Sequence, residues 1–223
     1  MPLILETPRL VLRQFCDADL EPFLAYRNDP QVYRYQGWHI PYLRAEGEEF
    51  IGHVKQSLPG TPGEWMQLAI VPRSGETMLG DVAFHVTRAN PRLAYIGYSL
   101  SPAAWGYGYA SEAVGRLLDY LFRVLDLHRV VADCDVNNSA SFRLLERLGF
   151  RREAHYIESY WQEQDGGWGS EYLYALLQRE WITEMQKIDV WTRRLFTVQK
   201  DTMRKRGLSV SRFIKAQPFA IRR

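Results

Sequence analysis

Apolar residues alternate with polar ones in some stretches of the chain and recur every three or four positions in others. These two periods divide it into strands and helices. Leu10–Phe15 reads as a strand. Residues 17–27 read as a helix with Asp17 at its cap and Leu20, Phe23 and Leu24 on its buried side, broken by Asn28-Asp29-Pro30. A second helix is predicted over 42–57, between Pro41 and a loop at 59–63. Trp65–Val71 and Met78–Val86 read as strands paired across Arg73-Ser74-Gly75-Glu76. Tyr95–Leu100 is a further strand. After Ser101-Pro102, a long helix runs to about Val124, with Ala110, Ala113, Val114, Leu117, Leu118, Leu121 and Phe122 at helical spacing. Arg129–Val136 reads as a buried strand. Asn138 or Ser139 then caps a helix whose apolar face is Leu144, Leu145 and Leu148, ended by Gly149. The late strands Ala154–Trp161 and Glu171–Leu177 join through a turn at 164–167. Strands with helices inserted among them define a mixed α/β domain without internal repeats.

Beyond Trp181 the pattern thins. Ile188, Trp191, Leu195 and Phe196 fit one more amphipathic helix, and Gly207 and Pro218 interrupt the remaining stretch. Charge marks the same boundary. Residues 183–223 hold eleven Lys or Arg and three Asp or Glu, a net of +8, which leaves −6 for residues 1–182 of a chain whose total is +2. The predicted organisation is a domain over 1–182 and a basic, partly helical extension over 183–223. That extension either docks on its own domain or meets a polyanion such as RNA or the ribosome.

Composition narrows the class. With 46% hydrophobic and 24% charged residues the chain is that of an ordinary globular protein. No apolar run approaches the roughly 18–20 residues needed to span a bilayer. Two cysteines far apart, Cys16 and Cys134, point to a reduced, cytoplasmic protein in which each is a small buried side chain. The five histidines lack paired metal spacing, so no metal is expected.

The candidate chemistry begins at Trp105-Gly106-Tyr107-Gly108-Tyr109-Ala110-Ser111-Glu112-Ala113, a glycine-bearing turn between a strand and a helix start. Free N–H groups and the positive end of the helix dipole suit a phosphate or pyrophosphate there. The turn lacks a Gly-Lys-Ser/Thr ending and the dinucleotide glycine spacing, which excludes the commoner phosphate loops. About thirty residues on, Asn137-Asn138-Ser139-Ala140-Ser141 precedes Glu146-Arg147-Leu148-Gly149-Phe150.

The two segments together, with the opening Leu5-Glu6-Thr7-Pro8-Arg9-Leu10-Val11-Leu12-Arg13 and Asn28-Asp29-Pro30-Gln31-Val32, resemble the GNAT superfamily of acyl-CoA-dependent N-acetyltransferases, and within it the RimJ/RimL-type branch. The resemblance covers roughly residues 4–180. It implies a mixed, mostly antiparallel twisted sheet flanked by helices, with acetyl-CoA as cofactor and coenzyme A as product. Trp105, Gly106, Tyr107, Gly108, Tyr109, Ala110 and Ser111 would cradle the pyrophosphate, although this loop brings no side-chain cation. Tyr98, Ser99 and Leu100 would pair with the pantetheine arm between two splayed parallel strands, and an N–H near Ser99 or Leu100 would polarise the acetyl carbonyl. Asn138, Ser141 and Arg143 complete the implied coenzyme contacts.

By the same resemblance, the tyrosine that many GNAT enzymes use as acid is replaced by Leu145, and Ser141 takes over the protonation of the leaving thiolate. The base is open. Tyr95 stands where this branch often has glutamate, Glu158 could act through a water, Asp81 and His85 are alternatives, and a low-pKa amine would need none. Glu112 is expected to hold the helix start. An aromatic group of Tyr33, Tyr35, Trp38, His39 and Tyr42, with Tyr95, Trp161 and Trp168, would line the acceptor pocket beside Glu46, Glu48 and Glu49. Acceptors in this branch include protein N-termini, aminoglycosides, polyamines and amino acids. The partner is therefore an amine, peptide N-terminus or small molecule, and a homodimer is compatible with the pattern. A non-catalytic acyl-CoA sensor is the competing class.

Overall fold

The computed structural model describes residues 2–75, 77–162 and 166–186. The chain divides into a unit of residues 1–178 and a second unit of residues 179–223. Residues 178–186 are helical, whereas the expected tail helix around 188–196 and the rest of the basic extension lie outside the described residues.

The first unit is one sheet of eight strands: β1 (Ile4–Glu6), β2 (Leu10–Arg13), β3 (Trp65–Pro72), β4 (Gly80–Val86), β5 (Leu93–Leu100), β6 (Arg129–Asp135), β7 (Arg151–Gln162) and β8 (Gly167–Leu177). Their spatial order is β1-β2-β3-β4-β5-β6-β8-β7. Every neighbouring pair is antiparallel except β5 and β6, which run parallel. The helices are α1 (Leu20–Arg27), α2 (Pro30–Tyr33), α3 (Arg44–Val54), α4 (Tyr109–Arg123) and α5 (Ser139–Arg147).

Strand alternation assigns the faces. Ala69 and Val71 of β3 point to the side where Phe15, Phe23, Tyr26, Ile51 and Val54 form a core with α1 and α3. Phe84 of β4 points the other way and meets Tyr120 of α4, ring centroids 6.1 Å apart. The apolar stripe read from the sequence, Ala113, Val114, Leu117, Leu118 and Leu121, is fully buried there. Gly149, with φ of 87°, ends α5 as expected. Its N–H donates to Glu146 O at 3.1 Å and that of Phe150 to Leu145 O at 3.0 Å, closing the last turn.

Several expectations need correction. Ile4–Glu6 forms a strand too short for periodicity to reveal, since it exists only by pairing with β2. Asp17 does not cap α1. It lies in a short 3-10 turn and pairs with Lys55 Nζ at 2.5 Å. The residue that folds back is Asp19, whose buried carboxylate accepts from Arg13 at 2.7 and 2.9 Å and from Cys16 N at 2.8 Å. Those bonds and the Arg13 charge outweigh burial and hold its pKa below the ordinary value. Cys16 is exposed rather than buried, because it begins this surface turn, whereas Cys134 is buried.

At Gly80 the backbones of β4 and β5 come so close that a Cβ would lie 2.1 Å from Ser99 O and 2.7 Å from Leu100 Cα. Gly80→Ala is expected to destabilise the protein by about 2–3 kcal/mol through this backbone clash, read as a lower urea midpoint. An unchanged midpoint would show that β5 can shift freely.

Candidate active site

Pairing between β5 and β6 stops early. Leu93, Ala94 and Tyr95 pair with Arg129, Val130 and Val131, and there the ladder ends. Beyond it, β5 stays with β4 as far as Gly80↔Leu100, while β6 stays with β8 as far as Asp135↔Glu171. Each strand is held on its outer side, so the inner edges separate into a slot. The edge hydrogen bonds fix which groups face it. Leu93 O accepts from Thr87 N at 3.0 Å, and Ser101 N donates to Leu79 O at 2.8 Å, so odd positions of β5 bond outward. The N–H groups of Tyr98 and Leu100 therefore face the slot, and that of Ser99 does not. Leu100 O is occupied by Trp105 Nε1 at 2.9 Å, which anchors the glycine turn to the end of β5.

That turn needs its glycines, because Gly106 and Gly108 have φ of 81° and 78°. Gly108 precedes α4 without a side-chain cap, which leaves the first N–H groups of the helix for an anion. Glu112, buried in the first turn, accepts from Thr7 Oγ1 at 2.6 Å, Arg9 N at 3.0 Å and Arg9 Nε at 2.6 Å. Arg9 Nη1 in turn donates to Tyr107 O at 2.9 Å, and its guanidinium lies 4.7 Å above the Tyr109 ring. From the opposite side, Arg147 of α5 donates to Ser111 Oγ at 3.4 Å. The loop brings no cation of its own, yet two arginines from other elements border it. Neither is legible locally, because Arg9 and Glu112 are 103 positions apart and Arg147 and Ser111 are 36 apart.

Asn138 caps α5, its side chain accepting from Ser141 N at 3.1 Å. This fixes Ser141 in the first turn. Its Oγ lies 2.8 Å from the Tyr98 hydroxyl on β5, and its side chain is close enough to Cys134 on β6 to act on that thiol. One serine thus bonds the β5 wall of the slot on the α4/α5 face and lies near the β6 wall. Burial pushes the Cys134 thiol up to about 11 and the Tyr98 hydroxyl well above its ordinary value, so both stay protonated at neutral pH. Leu145 is a fully buried core residue, and Arg143 stands exposed on the outer side of α5.

The remaining candidates scatter. Tyr95 stands at the fork of the slot, opposite His85, on the α1 face, and His85 packs on Trp65 with ring centroids 5.3 Å apart. Asp81 on the same face is buried and already engaged, accepting from Gln67 Nε2 at 2.7 Å and from the Tyr26 hydroxyl. Glu158 sits exposed at an irregularity of the edge strand β7, with φ of 48°, separated from the slot by β6 and β8. Tyr33 ends α2 and Tyr35 comes two residues later, with the Arg34 guanidinium 5.4 Å from the Tyr35 ring. Trp38 belongs to the α1–α3 core. It covers the Arg27 guanidinium at 4.1 Å and donates Nε1 to Arg27 O at 3.1 Å. His39 and Leu43 N occupy the Glu46 carboxylate, at 2.8 and 2.6 Å. Trp161 meets Trp168 edge to face at 5.7 Å. Alternation puts that pair on the α5 face, away from Tyr95, and puts Tyr160 on the α1 face instead.

A helix start suited to a phosphate lies beside a forked parallel strand pair, and the chain belongs to the GNAT acetyltransferases: residues 9–151 match that family's acetyltransferase (GNAT) domain. The chain is 34% identical over 150 residues to the uncharacterized N-acetyltransferase YoaA of Bacillus subtilis strain 168, covering 67% of this chain and 84% of that one. Over 97 residues it is 34% identical to the [ribosomal protein uS5]-alanine N-acetyltransferase of Escherichia coli K12, spanning 44% of this chain and 49% of that protein. A crystal structure of a GNAT-family acetyltransferase from Bacillus anthracis, 26% identical, superposes with a TM-score of 0.69 over 80% of this chain and all of that one. The protein is an N-acetyltransferase, and its cofactor is acetyl-CoA. Among the described residues, no helix is long and apolar enough to cross a membrane.

Proposed function

We propose that the acetyl group passes in one step, within a ternary complex, from acetyl-CoA in the β5–β6 slot to a primary amine entering from the α1 face. The observation that carries this reading is the position of Ser141, hydrogen-bonded to Tyr98 on one wall and close to Cys134 on the other. The pantetheine arm pairs with the inner edge of β5, the Leu100 N–H polarises the carbonyl, and the Ser141 hydroxyl supplies the proton that the thiolate takes. The pyrophosphate rests on the N-terminal turn of α4, bordered by Arg147. Asn138 keeps its role as cap and lies beside the arm.

The favoured acceptor is a protein N-terminal α-amine, supported by the likeness to the enzyme named for ribosomal protein uS5 alanine. Small amines are the second reading, favoured by carboxylates Asp133 and Glu171 on the same sheet face as Tyr95. Comparing kcat/KM for an alanine-terminated peptide, spermidine and an aminoglycoside decides between them. A clear preference for the peptide supports the first reading, and turnover confined to spermidine or the aminoglycoside overturns it.

A further inference from the structure

We infer that Asp133 is the general base that deprotonates the incoming amine, a role that rests on the one-step transfer proposed above. Asp133 belongs to β6 just past Val131, where pairing with β5 ends, so it stands on a wall of the slot. Its neighbour Cys134 points to the α5 face, opposite Tyr172, whose ring meets Phe142 of α5. Alternation sends the Asp133 side chain to the opposite, α1 face. A thioester in the slot therefore has the hydroxyl of Ser141 on one side and the carboxylate of Asp133 on the other. The thiolate leaves on one face and the amine arrives on the other.

Two further observations set Asp133 apart from the other acids. The residue is exposed, yet surrounding protein atoms displace enough water to push its carboxyl above the ordinary aspartate value. Exposure and crowding coincide in a concave slot. Its neighbours are also already engaged. Asp135 accepts from Tyr160 Oη at 2.5 Å, Gln162 Nε2 at 3.1 Å and Asn137 N at 2.6 Å. Glu171 lies across from Asp135 on β8, and its own carboxyl is pushed up by burial, by Asp133 and by Asp135. Asp135, Glu171, Tyr156 and Tyr160 are the titratable groups sharing this face of β6, β8 and β7 around Asp133; across the slot the same face carries Tyr95 and His85, and Tyr98 lies on the other face of β5. Of the basic groups on this face, Arg129 pairs with Glu153 and His85 packs on Trp65 two strands away, and among the described residues Asp133 forms no ion pair.

Asp133 takes one proton from R–NH3+, and the freed nitrogen pair forms the C–N bond to the acetyl carbon. The C–S bond breaks with its electron pair moving to sulfur. A second proton leaves the nitrogen, and sulfur receives one through Ser141. Asp133 then returns its proton to water. The sum is one ammonium and one thioester giving an amide, a thiol and one proton.

The test uses the full chain, acetyl-CoA, and alanine-terminated peptide and spermidine as acceptors. Asp133→Asn is expected to lower kcat/KM for the amine on the order of 100-fold at pH 7, with acetyl-CoA affinity unchanged. The defect should shrink severalfold or more as pH rises and the amine arrives neutral. Because the base must be ionised and its pKa is raised, the wild-type profile should lose activity as pH falls, at a pH above the ordinary aspartate range. The Asn variant should lack that limb, and Asp133→Glu should restore part of the rate. An undiminished rate in Asp133→Asn, or a defect equal at every pH, overturns the inference while leaving one-step transfer intact. If the wild type turns over neither acceptor, that reading fails instead, and Asp133 is judged by carboxyl-carbon NMR. A raised titration that shifts on adding acetyl-CoA supports its place at the thioester. An ordinary titration indifferent to the coenzyme overturns it.

Discussion

Ser141→Ala is expected to lower kcat on the order of 100-fold and to leave the acetyl-CoA dissociation constant within about twofold. The cap of α5 survives this change, since Asn138 bonds the backbone N–H of residue 141 rather than its side chain. Alanine is also a good helix former. What disappears is the hydroxyl between Tyr98 and Cys134. Neither neighbour replaces it as an acid. Burial raises the Tyr98 hydroxyl and lifts the Cys134 thiol to about 11, so both hold their protons more tightly than usual. Losing the hydrogen bond to Tyr98 should reduce stability by only about 1 kcal/mol. Thiol release under saturating substrates, beside calorimetric titration of acetyl-CoA, separates chemistry from binding. Equal losses in both would make Ser141 a structural residue.

Glu112→Ala is expected to have the largest effect on stability, about 3 kcal/mol, together with roughly tenfold weaker acetyl-CoA binding. The buried carboxylate holds the Thr7 hydroxyl and the backbone and side chain of Arg9, tying the start of β2 to the first turn of α4. Without it, the buried Thr7 hydroxyl loses one of its partners. Arg9 also loses the anchor that places Nη1 on Tyr107 O, inside the glycine turn. Arg9→Ala should destabilise less, because the Arg9 side chain is 44% exposed and that of Glu112 only 8%. Urea unfolding and coenzyme titration of the two variants check this order. A reversed order would mean that the turn holds its shape without the clamp.

Much of this was legible locally. The stripe Ala113–Leu121 announced α4 and its buried face, and Asn138 and Gly149 marked both ends of α5, because caps act within three or four residues. The turn 105–108 declared its left-handed positions through glycine. The features that stayed hidden depend on distant pairing. Arg9 reads as an ordinary strand-edge cation until β2 brings it to α4. Tyr98 and Ser141 meet across 43 positions, and no spacing rule connects a strand to the next helix-and-strand unit at that precision. Glu158 passed for a strand carboxylate near the site, and the irregular edge of β7 removes it from the slot. Asp133 was masked for the opposite reason. It sits in an apolar run that reads as buried, and the fork opening beside it is a property of the register of β5 on β6.

Amine-dependent transfer from acetyl-CoA at the forked strand pair is the centre of this reading. The most direct measurement mixes the full chain with acetyl-CoA and either an alanine-terminated peptide or spermidine, and tracks thiol release and product mass together. Release is expected to require an amine, the acetyl group to appear on that amine, and Ser141→Ala to slow both equally. Tight binding of acetyl-CoA without amine-dependent release, or acetyl retained on the protein itself, would contradict it.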